Sequence, residues 1–277
     1  MESWRYYNHA MLPANAPHEP ADMKPLITGD IWKNKPGRIL LVRWTSEYDC
    51  GYETAWWYCI KDTLFDISRL KAKRRYEINK GRKNFSVRII DPGNYTQELY
   101  KVLGEAFRAY PAAYRPSVEF SSFVRSVENW KKSKRIIYGA FEKDTETMGG
   151  YAVVIEHESY GQISELKTMP VFEKLGVNAA IMAKICEDYN PKIEQGYYLS
   201  DGERSIFHET HFQDYLEKYF GFRKAYAKLN IKYRKGIGLM VFLLYPFRER
   251  IRKLNGGIFR KIYAVLLMEE IIKKEKN

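Results

Sequence analysis

The sequence predicts an α/β fold: a mixed (α+β) sheet with helices on both faces. Three observations carry this. From Phe85 onward, β-compatible alternation and helical periodicity take turns in the order β-α-α-β-β-β-α-β-α-β. That order mixes adjacent strands, which pair antiparallel, with strands separated by a helix, which pair parallel through a crossover. The 277 residues are 45% apolar and 15% aromatic, enough for a sizeable core and unlike a disordered chain.

Residues 8–37 are dense in proline and lack periodicity, so 1–37 read as an irregular N-terminal arm. Residues 38–44 and 54–60 are rich in β-branched and aromatic side chains and read as strands. The polar link between them, with Asp49 and Gly51, suits a hairpin loop. Residues 66–81 read as a helix with Ser68 as N-cap and Gly81 at C′. It carries Lys71, Lys73, Arg74, Arg75, Lys80, Arg82 and Lys83. Such a run is either a solvated face or a contact for a phosphate-bearing molecule.

Residues 85–90 form a strand and Pro92-Gly93 a turn. Helices over 95–109 and 117–132 are separated by Pro111 and Pro116. Strands 135–141 and 150–157 flank a turn-rich link. A strand at 161–168 ends at Pro170, and a turn holding Gly176 leads into a helix. Its stripe is Val177, Ile181, Ile185 and Tyr189, and Asn190-Pro191 stops it. Taken alone, this is an ordinary βα unit or an anion site at a helix N-terminus. A strand at 196–200 is broken by Asp201-Gly202. A helix at 210–220 opens on a capping box, Thr210-x-x-Gln213, and a strand covers 222–233.

Of the net charge of +12, residues 223–277 carry +11, with 15 Lys and Arg against 4 acidic residues. A basic tail on a near-neutral body points to an acidic partner, membrane lipid or nucleic acid. Residues 237–247 are an apolar run too short to span a bilayer, and a basic amphipathic helix follows. The 237–277 segment reads either as helices packed on the core or as an interfacial element on anionic lipid. Cys50, Cys59 and Cys186 show no metal spacing and read as reduced thiols in a cytoplasmic protein. No signal peptide is visible in the opening residues. His208 and His211 lack the Glu and third ligand of a zinc site, so no metal is expected. There is no GxSxG, Walker A or GxGxxG pattern.

The densest cluster of reactive residues is Ser200-Asp-Gly-Glu-Arg-Ser-Ile-Phe-His-Glu-Thr-His211, beyond the end of a strand. Asp201 and Glu203 are candidate bases, Arg204 a candidate ligand for an anionic acceptor group, and His208 a proton shuttle. The alternative is a polar loop capping a helix.

Three motifs resemble known families. Leu166-x-x-x-Pro170-x-Phe172-Glu173-x-x-Gly176-x-Asn178-Ala179 resembles the strand–loop–helix of GNAT N-acyltransferases, and Tyr215-Leu-Glu-Lys-Tyr-Phe-Gly-Phe222 resembles a stretch on that family's last helix. Residues 56–90 are similar to the segment of Fem-type peptidyltransferases that precedes the GNAT core. The resemblance implies a 38–84 extension, an 85–235 core and a 236–277 tail. It implies acyl-CoA, acetyl-CoA above all, as donor and a primary amine as acceptor. Lys174, Leu175, Gly176, Val177, Asn178 and Ala179 would then cradle the pyrophosphate. Leu166, Lys167 and Thr168 would pair with the pantetheine arm, and the sheet would splay after Lys167. The chain departs from the pattern at Glu173, where the family has Gln or Arg. It departs again at Glu217, where a general-acid tyrosine is usual, with Tyr215 and Tyr219 two residues to either side. The acceptor expected is a cell-surface building block, with the enzyme cytoplasmic or peripheral on the inner membrane face. Aminoacyl-tRNA-dependent transfer and a non-catalytic binding role are the alternatives.

Overall fold

Residues 3–33, 38–110, 115–133, 135–206, 211–254 and 256–276 are described by a computed structural model. In chain order the elements are β1 (Trp4–Tyr7), β2 (Ala10–Pro13), α1 (Lys24–Ile27), β3 (Leu41–Ser46), β4 (Trp56–Lys61), α2 (Ala72–Asn84) and β5 (Phe85–Ile89). Then come α3 (Thr96–Arg108), α4 (Phe120–Lys132), β6 (Arg135–Glu142), β7 (Met148–Glu156), β8 (Tyr160–Thr168), α5 (Pro170–Glu173) and α6 (Val177–Ile193). The chain closes with β9 (Tyr198–Glu203), α7 (His211–Phe220), β10 (Arg223–Tyr233), α8 (Ile237–Leu244), α9 (Arg248–Arg252) and α10 (Gly257–Lys276). From β5 onward this is the predicted order, with the one-turn α5 added.

The chain divides into two units, neither of them continuous in sequence. The first comprises Met1–Cys59, Glu203–Thr210 and Lys224–Asn277; the second comprises Ile60–Gly202 and His211–Arg223.

In the second unit the strands lie in the order β9-β8-β7-β6-β5. β5 to β8 are antiparallel, and β8 and β9 are parallel. Leu99 and Val102 of α3 and Phe123, Val127 and Trp130 of α4 pack on one face, against Ile137, Phe141, Tyr151 and Val153. α6 covers the other face. The single apolar stripe expected of α6 is too narrow: Ala179, Ala180, Met182, Ala183 and Cys186 are buried as well. The cause is α2, which packs on the outer side of α6. A helix covered on both sides is apolar all round.

The contact between α2 and α6 is made glycine on glycine. A Cβ at Gly81 would lie 2.4 Å from the Gly176 carbonyl oxygen, and one at Gly176 would lie 2.9 Å from the Gly81 nitrogen. Gly176 also has φ +87°, a conformation that L side chains rarely adopt. Around this contact the Asn84 amide donates to Leu175 O at 3.0 Å, and Arg82 pairs with Glu187. This corrects the reading of Gly81 as a C′ residue: it is a buried interior position of α2. Ser68 is likewise not an N-cap. Its amide donates to Asp66 at 2.8 Å in a 3-10 turn that precedes the helix. Asn190-Pro191 does not end α6, which continues to Ile193 with Pro191 in its last turn. The Asn190 side chain instead binds both backbone groups of Phe65 at 2.8 Å.

In the first unit the order is β1-β2-β3-β10-β4. β10 lies between β3 and β4, so the expected hairpin between those strands does not form. The arm is also corrected: β2 pairs with β1 and, through Ala10↔Leu41 and Met11↔Val42, with β3. Trp4, Met11, Leu26 and Ile31 form a buried cluster with Ile39 and Val42. A second cluster holds Leu41, Trp56, Ala227 and Leu229 under Met268 and Ile271 of α10.

Gly81→Ala is expected to destabilise the fold by about 1–3 kcal/mol, the usual cost of overpacking, because the obstruction is backbone. Gly104→Ala, on α3 with nothing within 4 Å of the new Cβ, is expected to stabilise it by about 0.5–1 kcal/mol. Urea-unfolding midpoints of the two variants check both signs.

Candidate functional site

The site begins where two parallel strands part. β8 pairs with β9 only over Tyr160↔Tyr198, Gly161↔Leu199 and Gln162↔Ser200. On its other edge β8 stays paired with β7 as far as Gly150↔Thr168. The parting expected after Lys167 therefore comes earlier, after Gln162. At that point Ser200 Oγ accepts from Gly202 N at 2.9 Å, and Gly202 has φ +90°. Asp201-Gly202 thus bends β9 without ending it, contrary to the expected strand break; β9 runs to Glu203. The gap is a cleft of about 500 Å³ whose lining includes Ile163 to Thr168 of β8, Asn178 of α6, Asp201 of β9 and Tyr215 of α7. Extended backbone without a ladder partner is free to bind a ligand edge-on.

Among the sequence candidates, the structure brings Leu166, Lys167, Thr168, Asn178, Asp201 and Tyr215 together in this cleft. Tyr215 reaches it from α7. Tyr219 does not line it: its ring lies 5.0 Å from that of Tyr215, and the Arg74 guanidinium sits 5.8 Å from it. Glu203 and Arg204 belong to the first unit. Glu203 pairs with Arg43, while Arg204 donates to Ala55 O at 2.6 Å and stacks on Trp57 at 4.4 Å. His208 and the capping Thr210 lie outside the described residues. Lys174 is exposed, and Leu175 N and Gly176 N donate within the α5 turn, to Phe172 O and Glu173 O.

Residues beyond the catalytic and binding candidates complete the cleft. Glu165, Glu173 and Phe212 line it, and Gln213 supports it. Gln213, which the sequence places in a capping box with Thr210, donates its amide to Asp201 Oδ2 at 3.3 Å. Glu165, half-buried on β8, accepts from Tyr151 at 3.2 Å. Only the tertiary parting of β8 and β9 exposes these residues to one cavity.

The electrostatics are set by carboxylates. Glu165, Glu173 and Asp201 face Lys167 alone, so the cleft favours a cation. Burial pushes the Asp201 carboxyl from 3.8 up to about 7, and the Gln213 hydrogen bond offsets this only in part. Burial also holds the Tyr215 phenol well above its ordinary range, with Tyr219 and Glu77 adding to it. Tyr215 is therefore a proton donor at neutral pH, and Asp201 a group that can hold or release a proton there.

For a phosphate-bearing donor the fit is divided. Ala180 N makes the first bond of α6, to Gly176 O, so the amides of Val177, Asn178 and Ala179 have no partner inside the helix. Gly81 covers Gly176 on the α2 side. On the cleft side Thr168 Oγ1 donates to Asn178 Oδ1 at 3.1 Å, and the Glu173 carboxylate is exposed beside it.

No protein-family model matches the chain, and no curated protein matches it in sequence. Solved structures do match. The C-terminal domain of a protein named as a lysylphosphatidylglycerol synthetase from Agrobacterium fabrum superposes with a TM-score of 0.52 at 10% identity, over 86% of this chain and 82% of that one. The L-PGS of Bacillus licheniformis gives 0.51 at 13% identity, over 97% of this chain and 84% of its own. An acetyltransferase of Trypanosoma brucei gives 0.36 at 17% identity, over 50% of this chain and 93% of its own. The fold is shared. It is a mixed, open sheet flanked by helices, and at these identities the likeness is one of fold alone. The part of the expectation specific to Fem-type enzymes gains nothing from these structures.

Asp201 yields a stability signature. The folded carboxyl keeps its proton to about pH 7 while the unfolded one releases it near 3.8, so the unfolded state binds fewer protons in that window. Stability therefore falls as pH rises through the window and levels off above it. Asp201→Asn is expected to remove this fall, with a larger stability gain over wild type at about pH 8 than at about pH 4. Urea melts at the two pH values check it.

Proposed function

We propose that the protein is a transferase that moves an acyl group onto a primary amine in the opening between β8 and β9. The observation that supports this most is the half-buried Asp201 carboxyl, poised near pH 7, on the cleft opposite the unpaired edge of β8. The amine nitrogen attacks the acyl carbonyl carbon, a C–N bond forms, and the bond to the donor's leaving atom breaks. Asp201 takes the proton that the nitrogen sheds, and the Tyr215 hydroxyl supplies one to the leaving atom. The three carboxylates attract an amine in its cationic form; its ammonium proton leaves to water before attack, and Asp201 takes the second proton, shed as the C–N bond forms.

The donor we assign first is an acyl-CoA thioester, acetyl-CoA being the simplest. Its pantetheine would lie along residues 163–168, and its phosphates would meet the first turn of α6. A second donor, aminoacyl-tRNA, is favoured by α2. Lys71, Lys73 and Lys83 are exposed there, and the Glu173 carboxylate at the cleft opposes a pyrophosphate. The two structures of highest TM-score among those above are named for lysylphosphatidylglycerol synthesis or abbreviated L-PGS. The acceptor class we assign is an amine on a cell-surface precursor, modified in the cytoplasm.

Titration calorimetry with acetyl-CoA and anisotropy with labelled tRNA test the donor. We expect acetyl-CoA to bind, and Asp201→Asn to bind it equally while transfer to an amine falls by about 100- to 10,000-fold. Salt-sensitive tRNA binding without acetyl-CoA binding would move the donor to aminoacyl-tRNA. Binding of neither would overturn the transferase reading.

A further inference from the structure

α8 reads Ile-Gly-Leu-Met-Val-Phe-Leu-Leu and is apolar all round. A helix of that composition is ordinarily covered on every side. In the first unit only one stripe of it is covered. Ile237, Val241 and Leu244, at helical spacing, pack with Ile251 and Leu266. Leu239, Met240, Phe242 and Leu243 are 63%, 56%, 70% and 58% exposed. Four adjacent large apolar side chains in water are an interaction surface in search of an apolar phase.

The charge around this helix restricts what that phase is. Residues 232–261 carry nine Lys and Arg and one acidic residue, Glu249. Arg248 is matched by Glu270 at 3.1 Å and Arg252 by Glu249 at 3.5 Å. Lys232, Lys235, Lys253 and Lys261 are exposed, and none has an ion-pair partner among the described residues. A second copy of the chain would bring the same cations against these. A nucleic acid would supply anions and bases to stack on Phe242, but no apolar phase for Leu239, Met240 and Leu243. An anionic bilayer supplies both in the right order, charge at the headgroups and hydrocarbon beneath. No helix among the described residues is long and apolar enough to cross a membrane.

We propose that α8 and the lysines flanking it form a docking face for an anionic phospholipid surface, with Leu239, Met240, Phe242 and Leu243 entering the acyl region. The helix lies in the interface without spanning it. Nothing in this depends on the transfer reaction or its donor.

Flotation of the full chain with vesicles of phosphatidylcholine, alone or with phosphatidylglycerol at about 30%, tests the face. The chain is expected to float with the anionic vesicles and not with phosphatidylcholine alone. Leu239→Gln with Leu243→Gln should lower the bound fraction about tenfold or more. Lys253→Glu with Lys261→Glu should weaken binding at low salt by a similar factor, and high salt should erase that difference. Both variants should keep the wild-type urea midpoint, because the substituted side chains are exposed. No flotation, or flotation unchanged by both variants, would overturn the proposal. So would a concentration-dependent dimer in sedimentation that the leucine variant abolishes, which would assign the face to a second copy.

Discussion

The second unit depends on one constraint: two parallel strands that pair for three residues and then separate. β8 cannot follow β9 beyond Gln162–Ser200, because the Ser200-Asp201-Gly202 bend carries β9 away. It still has β7 on its other edge, with a register shift at Ser164, and it presents residues 163–168 along the opening. Unpaired extended backbone is costly if buried dry, and the gap is resolved as a cleft that a ligand or solvent can enter. The glycine contact between α2 and α6 works in concert with this. Gly81 on Gly176 fixes where α6 starts, and hence where its unpartnered amides and Asn178 stand beside Thr168.

Charge then divides the labour within that unit. The cleft is acidic and the exposed face of α2 basic, so the cleft favours a cation and α2 an anion. The amine acceptor proposed above matches the charge of the cleft. The burial that raises Asp201 also weakens it as a fixed countercharge, which suits a group that must take up a proton rather than hold a permanent ion pair. Structural carboxylates in this chain behave otherwise: Glu187 and Glu203 each have an arginine partner.

The order of strands and helices from Phe85 to Tyr233 was legible because each element has its own periodicity and its own stop signal. What could not be read was the packing between elements distant in sequence. Gly81 looks like a helix terminator until α6 is seen against it. Pro191 looks like a stop, but a proline in a last turn loses little, and Asn190 is free to clasp Phe65. Strands β3 and β4 look like a hairpin because nothing local announces that β10, about 170 residues on, lies between them. At the site, Asp201 and Tyr215 were legible as reactive residue types near a strand end and on a helix. Gln213 and Glu165 were not, since their roles exist only through contacts across the fold. Glu203 and Arg204 show the converse. Their chemistry was plain, but Arg43, Ala55 and Trp57 engage it.

The proposed transfer turns on Asp201 as a proton-accepting group poised near neutrality in the strand opening. A carboxyl-carbon NMR titration of the chain, with Asp201→Asn to assign the resonance, measures it directly. The expected apparent pKa is about 7, raised by burial of the carboxyl. A titration at the ordinary aspartate value, near 3.8, would contradict it.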